Sequence, residues 1–286
     1  MGEKGFQALS TLVQHKNTKV IDMVVGSRDL NMQKDYYDEI RGLCADNNIS
    51  FCDRHENNSI KSPYCIAIAW RWMIHLDDSS QLIVLHDSLL PKYRGFCPLV
   101  NMLLNKEPKI GVTALLANEE YDCGGIIAQK SIEVTYPIKV QDAIKLESPL
   151  FGEIILDVLE QLAVTGQLKI TPQNDKEATY SIWRDEEDYR IDWSQSVEDI
   201  QHFIYAIGFP FKGASTLADG ILYRIIDCSI EQDVDIVNRP IGKVIFVKDG
   251  CPVVICGKGL LKLTDVRVDG TQDNVLPFKK FRLRFK

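Results

Sequence analysis

The run His86-Asp87-Ser88-Leu89-Leu90-Pro91-Lys92-Tyr93-Arg94-Gly95 follows directly on Leu82-Ile83-Val84-Leu85, a short apolar segment that reads as a buried strand. An imidazole therefore stands at the carboxyl end of a strand, the place where open α/β sheets put their chemistry. A histidine in that position also serves simply to satisfy a turn, so the residue needs partners elsewhere in the chain before it carries weight.

Working outward, Val20-Ile21-Asp22-Met23-Val24-Val25, Ile49-Ser50-Phe51-Cys52 and residues 64–69 read as further strands. Residues 6–16 carry Phe6, Leu9, Leu12 and Val13 on one helical face, and residues 34–47 also read as a helix. This alternation predicts a Rossmann-like, mostly parallel sheet with right-handed crossovers and helices on both faces. Beyond the opening run, residues 98–105 read as a helix, and 110–116 and 126–134 as strands with a turn at Asp122 between them. Residues 140–165 form a long amphipathic helix that Pro149 is expected to kink or interrupt.

Residues 168–176 are polar, contain Pro172 and read as the connection to a second domain. A helix at 196–207 follows, then short strands at 214–217, 222–228, 242–247, 253–256 and 260–268, divided by glycine turns. That spacing predicts a small β-barrel of the OB type. The expected division is a catalytic domain over residues 1–175 and a carboxyl-terminal domain over 176–286.

Composition narrows the class. The chain has 286 residues, a net charge of −7 and ordinary hydrophobic and charged fractions, enough for one large core or two modest ones. No apolar run approaches the roughly 20 residues of a membrane helix. Met1-Gly2-Glu3-Lys4-Gly5-Phe6 has no apolar leader, and Phe6 stands where a myristoylation signal needs Ser or Thr. The eight cysteines lack metal spacing, so no metal is expected, and apolar neighbours such as those of Cys65 suit reduced thiols in a cytoplasmic protein. A polyanion as main ligand calls for a basic face. The one dense basic run is 279–286, whose alternation suggests an edge strand protected by charge.

The string HDSLLPKYRG followed by Tyr121-Asp122-Cys123-Gly124-Gly125 resembles the signature of the folate-dependent formyltransferases. Ile191-Asp192-Trp193-Ser194 and Phe209-Pro210-Phe211-Lys212-Gly213-Ala214 resemble the second domain of the members that act on methionyl-tRNA and on amino sugars. The resemblance implies an enzyme that takes a formyl group from N10-formyltetrahydrofolate to an amine, without a metal. It assigns His86 as general base or oxyanion partner and Asp122 as the carboxylate that orients it. Taken alone, Asp122 also fits an Asx turn ahead of the glycines. The resemblance places Leu89, Leu90 and Pro91 on the folate side, with Trp70, Arg71, Trp72 and Met73 at the pterin-pocket loop. There the indoles either stack on a flat ring or pack as ordinary core. Ser88, Tyr93, Arg94 and Gly95 fall on the acceptor side, Arg94 as a phosphate anchor or as part of an internal ion pair.

Two departures stand out. The family's third catalytic group is an asparagine two residues before the histidine, and here that position is Val84, which donates no hydrogen bond. Asn101 and Ser88 are conceivable substitutes, and a catalytically silent relative that only binds folate or nucleotide is the alternative. Similar proteins also begin with an inner strand leading into a first glycine loop. Gly2-Glu3-Lys4-Gly5 resembles that loop, so either the recorded start lies late or another segment takes the strand's place.

For the acceptor, the acidic balance and the short, mixed-sign stretch at residues 27–35 argue against an RNA partner. Tyr180-Ser181-Ile182-Trp183-Arg184 and the acidic residues after it resemble the interdomain segment of sugar N-formyltransferases. There Trp183 stacks on a nucleobase and Arg184 meets a diphosphate, unless the charges are simply solvated. The expected partner is a nucleotide-linked amino sugar carrying UDP, dTDP or GDP, as in surface glycan precursor synthesis. Methionyl-tRNA is the alternative acceptor, and the resemblance leaves a homodimer open.

Overall fold

The computed structural model describes residues 2–29, 32, 34–56 and 61–286. Met1, Leu30, Asn31 and Gln33, which the sequence reading used, lie outside the described residues. The chain divides into two compact units: residues 1–135 with 142–183, and residues 136–141 with 184–286. The change of unit thus falls after Trp183, where 175 was expected. Tyr180–Ser181 accounts for the difference, because it pairs in parallel with Arg94–Gly95 of the first unit.

The first unit opens with helix α1 (Glu3–Gln14), a parallel strand pair β1 (Val24–Gly26) and β2 (Phe51–Asp53), and helix α2 (Tyr37–Asp46) between them. The β-branched run from Val20 is mostly not strand. Residues 17–20 form a 3₁₀ turn and Val20 is exposed, so its side chain gains nothing from sheet burial. Strands β3 (Tyr64–Ile68) and β4 (Gln81–His86) follow, then the two-residue β5 (Arg94–Gly95), helix α3 (Pro98–Leu104), and strands β6 (Lys109–Leu116) and β7 (Ile126–Glu133). β3-β4-β6-β7 make one four-stranded sheet in that order.

The expectation of a mostly parallel sheet is corrected here. Only β3 and β4 run parallel within it; β4–β6 and β6–β7 are antiparallel. Residues 117–125 are too short for the crossover of a dozen or more residues that a parallel pair requires. Among the described residues no strand joins β2-β1 to β3, although Ile21 packs against the apolar clusters of both regions. Gly2, expected in a first glycine loop, is the residue that opens α1.

Helix α4 (Val140–Thr165) continues through Pro149 without interruption. Pro149 and Lys145 lie on the exposed side, so the carbonyl that loses its amide partner can meet water. Ala8 and Leu12 of α1 and Phe151, Ile154 and Val158 of α4 pack on Ile83 and Leu85 of β4 and on Val112 and Ala114 of β6. Because strand side chains alternate, this core occupies one face of β4 and sends Leu82, Val84 and His86 to the other. The unit ends with β8 (Tyr180–Ser181) against β5.

The second unit holds helix α5 (Val197–Ala206) and strands β9 (Ala214–Ala218), β10 (Ile221–Glu231), β11 (Val244–Lys248), β12 (Cys251–Ile255) and β13 (Leu260–Val268). They form one antiparallel sheet in the order β11-β12-β13-β10-β9. The chain end bonds to both outer strands, Lys286 with Leu217 on one side and Leu283 with Val244 on the other. Leu283 and Phe285 are buried and Arg284 and Lys286 exposed, the alternation expected of the basic run. Among the described residues no helix is long and apolar enough to cross a membrane.

Candidate active site

His86 is the last residue of β4 and is buried. Its Nε2 lies 2.8 Å from the Tyr93 carbonyl oxygen. A carbonyl only accepts, so this nitrogen carries the hydrogen, and in the neutral ring Nδ1 presents a lone pair. Nδ1 faces Oδ1 of Asp122 at 3.4 Å. That is longer than the about 2.7–3.2 Å of an N–H···O bond. Protonation at Nδ1 converts the same geometry into an ion pair.

Asp122 is held from several sides. Its backbone adopts the left-handed conformation, which aspartate tolerates better than most residues. The Gly95 amide donates to its Oδ2 at 2.8 Å. Gly124 is required two residues on, since a Cβ there would overlap the Leu116 carbonyl oxygen. Gly95 is required for a similar reason, as a side chain would strike the Ser181 carbonyl oxygen in the β5–β8 ribbon.

The loop between His86 and Gly95 is tied down by its own polar groups. Ser88 is fully buried and donates to the Lys92 carbonyl at 2.7 Å. Thr113, opposite His86 in β6, donates to the Ser88 carbonyl and accepts from the Leu90 amide. Gln129 of β7 donates to the Leu90 carbonyl. Tyr93 is buried, its amide donating to Thr179 and its hydroxyl to Glu107. Leu90 is likewise buried. Ser88, Tyr93 and Leu90 are thus held within the loop by internal bonds and burial.

Arg94 resolves the choice left open by its sequence in favour of internal pairing. Its guanidinium is buried, donating to Gln173 through Nε and Nη2 and to Asp175 at 2.7 Å. Gln173 in turn donates 2.7 Å bonds to the carbonyls of Asp122 and Gly124. This residue was missed in the sequence because it sits in what reads as a linker; the Ile126–Thr171 bridge is what draws that segment onto the unit. Replacing Gln173 with alanine leaves a buried guanidinium and two carbonyls short of partners. We expect a loss of about 2–3 kcal/mol of stability, read as a lowered urea midpoint; an unchanged midpoint would refute the keystone role.

Val84 lies two residues before His86 on the same strand face, opposite Ala67 and Leu115. Valine offers no hydrogen-bond donor there. Of the suggested substitutes, Asn101 donates to the Cys97 carbonyl at the start of its own helix and Ser88 to the Lys92 carbonyl.

At the carboxyl end of β3, Trp70 and Trp72 meet edge to face at 4.9 Å. The guanidiniums of Arg54 and Arg71 lie 4.7 and 5.1 Å from the Trp72 ring, and Arg71 pairs with Asp29. Trp72 is therefore engaged by cations, whereas the buried Trp70 Nε1 has no acceptor among the described residues. Met73 is exposed beside the Tyr121 hydroxyl. Pro91 accepts from the Thr179 amide through its carbonyl. Trp183 is 59% exposed, near Tyr180 and Ile182 in sequence, both also exposed. Arg184 donates to the Asp188 carbonyl within its own turn.

Residues 76–145 match the formyl transferase family, and residues 184–274 match the formyl transferase carboxyl-terminal domain. This chain is a member of the formyl transferase family. His86, Asp122 and the loop between them fall inside the first matched segment. Among curated relatives, methionyl-tRNA formyltransferase of Caldanaerobacter subterraneus is 30% identical over 190 residues, 66% of this chain and 60% of the relative. That of Sorangium cellulosum is 28% identical over 187 residues, 65% of this chain and 59% of the relative. The chain thus matches about three fifths of the length of these relatives. Among solved structures, HypX of Aquifex aeolicus in complex with tetrahydrofolic acid aligns with a TM-score of 0.67 at 19% identity, over 89% of this chain and 45% of that one. An N-formyltransferase of Helicobacter canadensis in complex with folinic acid and dTDP-3-aminofucose aligns with a TM-score of 0.62 at 16% identity, over 93% and 95% of the two chains.

Proposed function

We propose that this formyl transferase family member moves the formyl group of N10-formyltetrahydrofolate to the amine of a nucleotide-linked amino sugar. The observation that carries the transfer reaction is the His86–Asp122 pair, with its Nδ1 lone pair turned toward a carboxylate. The folate supplies the acyl carbon when bound. His86 Nδ1 takes the proton that the attacking amine must lose, and Asp122 stabilises the imidazolium so formed. Tyr93 holds the tautomer through its carbonyl, and Gly95 and Gln173 hold Asp122 and its backbone in place. The Trp70 Nε1, which has no partner among the described residues, fits a heterocycle that brings an acceptor, in keeping with a pterin near the 70–73 loop.

The sugar acceptor is supported by the acidic net charge and by the exposed Phe96, Tyr180, Ile182 and Trp183 on and beside the β5–β8 ribbon, which suit a flat base better than a phosphate backbone. The structural likeness to the Helicobacter canadensis N-formyltransferase, solved with dTDP-3-aminofucose, is in keeping with it. The names of the sequence relatives favour a second reading, methionyl-tRNA as acceptor. One assay separates the two. The protein is incubated with N10-formyltetrahydrofolate and either UDP-, dTDP- and GDP-amino sugars or charged methionyl-tRNA, and formylated product is sought by mass spectrometry. Formylated sugar nucleotide supports the first reading; formyl-methionyl-tRNA alone replaces it with the second.

Val84 sets a further expectation. Val84→Asn returns a donor to the strand face of His86 and raises kcat, by up to about a hundredfold if the full oxyanion contribution is recovered. No gain in turnover would show that another group already serves the oxyanion.

A further inference from the structure

His86, Thr113 and Gln129 stand opposite one another in a single row across β4, β6 and β7. Opposed residues of antiparallel neighbours project to the same side of a sheet, so the row lies on the face away from the apolar core. Thr113 is fully buried. Its hydroxyl donates to the Ser88 carbonyl at 2.6 Å and accepts from the Leu90 amide at 3.1 Å and from Gln129 Nε2 at 2.9 Å. One hydrogen and two lone pairs are the whole capacity of a hydroxyl, and these three bonds fill it. The same Gln129 nitrogen donates to the Leu90 carbonyl at 2.8 Å. Both backbone polar groups of Leu90 are thus held by side chains of the sheet. Leu89 lies against β6 as well, since a β-carbon at Gly111 would stand 2.7 Å from its Cδ2. Leu90 is buried, whereas Leu89 and Pro91 on either side of it are only partly buried. The segment after His86 is therefore pinned at its middle residue, with the flanking side chains left at the surface. Gln129 itself is exposed, so burial does not account for its place in this network.

We propose that Gln129 is a positioning residue for the folate donor: through Leu90 it holds Leu89 and Pro91 where the folate seats beside His86. This rests on the proposed reading of residues 89–91 as the folate side of the loop. The donor meets its partners only when the loop is docked on the sheet. Loosening the loop then raises the apparent dissociation constant in proportion to the docked fraction that is lost. A hydrogen bond of ordinary net strength changes such a ratio about threefold to tenfold.

The test uses the full-length protein and two readouts: affinity for folinic acid by calorimetry, and hydrogen exchange of residues 87–92 without ligand. Gln129→Leu keeps the bulk and removes both donated bonds. Exchange of the segment is expected to quicken, and Kd for folinic acid to rise about threefold to tenfold. In the formyl-transfer assay the loss falls on KM for the folate donor more than on kcat. Gln129→Glu, which accepts but does not donate when ionised, behaves as Gln129→Leu does. Thr113→Val gives the same two changes, and Thr113→Ser, which keeps the hydroxyl, restores the wild-type values. If Thr113→Val does not fold, the Gln129 variants, altered at an exposed position, carry both readouts. Weaker binding with unchanged exchange would mean that Gln129 meets the folate itself. Faster exchange with unchanged affinity would mean that its bonds serve the loop alone. Either result, or no change in both, overturns the positioning role. Failure of the wild type to bind folinic acid overturns the folate reading beneath it, and is recognised by being common to every variant.

Discussion

Replacing His86 with alanine lowers kcat for formyl transfer by about 10²–10⁴-fold, the range for removing a positioned general base. The reasoning runs through the geometry of both ring nitrogens. Nε2 is committed to the Tyr93 carbonyl, which leaves Nδ1 as the site that exchanges a proton. The Asp122 carboxylate stands 3.4 Å from it, where it can stabilise the imidazolium that forms once the proton is taken. Alanine removes the acceptor and leaves the Tyr93 carbonyl short of one bond, a stability cost of about 1 kcal/mol. The fold and the affinity for the folate donor therefore persist while turnover falls. The check is single-turnover transfer with mass detection, alongside a urea midpoint for the variant. A kcat within about threefold of the wild type in the folded variant would sink the assignment of His86 as base.

How much of this was readable beforehand differs from residue to residue. The strand ending at His86 was legible because its apolar run is local and continuous. Asp122 was legible only through resemblance, since nothing in its own neighbourhood separates a catalytic carboxylate from a turn aspartate. The sheet was read as too parallel. A signal against that reading was present in the brevity of residues 117–125, which leaves no room for a crossover. Gln173 and Lys4 carry no local signature: an amide in a polar segment and a lysine in a glycine-rich start both look solvated. Their roles arise from tertiary packing, the first from the bridge of Thr171 to Ile126 and the second, an ion pair with the buried Glu147 at 2.8 Å, from the seating of α1 on α4, where Gly152 admits Thr11. Arg94 shows the converse, a residue type that suggests phosphate and is engaged internally.

Glu147 provides the second large effect, on stability rather than turnover. Burial pushes its carboxyl up to about 7, with the Lys4 ammonium opposing the shift and Asp87 adding to it. In the unfolded chain the same group titrates near the ordinary glutamate value of about 4.3. Below that value both states hold the proton and Glu147 favours neither. As pH rises toward 7 the unfolded chain releases a proton that the folded protein keeps, so folding loses stability by about 1.4 kcal/mol per pH unit. The loss totals about 3 kcal/mol by the top of the window. Asp87 is shifted the other way, and its contribution is lost only as pH falls below the ordinary aspartate range. Lys4, lifted upward, loses its contribution only as pH rises beyond the ordinary lysine range. Neither therefore changes between pH 4.5 and 7. Glu147→Gln keeps an oxygen for the Lys4 ammonium and removes the titration. Urea midpoints of the two proteins measured from pH 4.5 to 7.5 should therefore diverge, with the variant gaining on the wild type by about 3 kcal/mol as pH rises. A difference between them that does not vary with pH would mean that Glu147 is already ionised throughout this range, its charge fully compensated by Lys4.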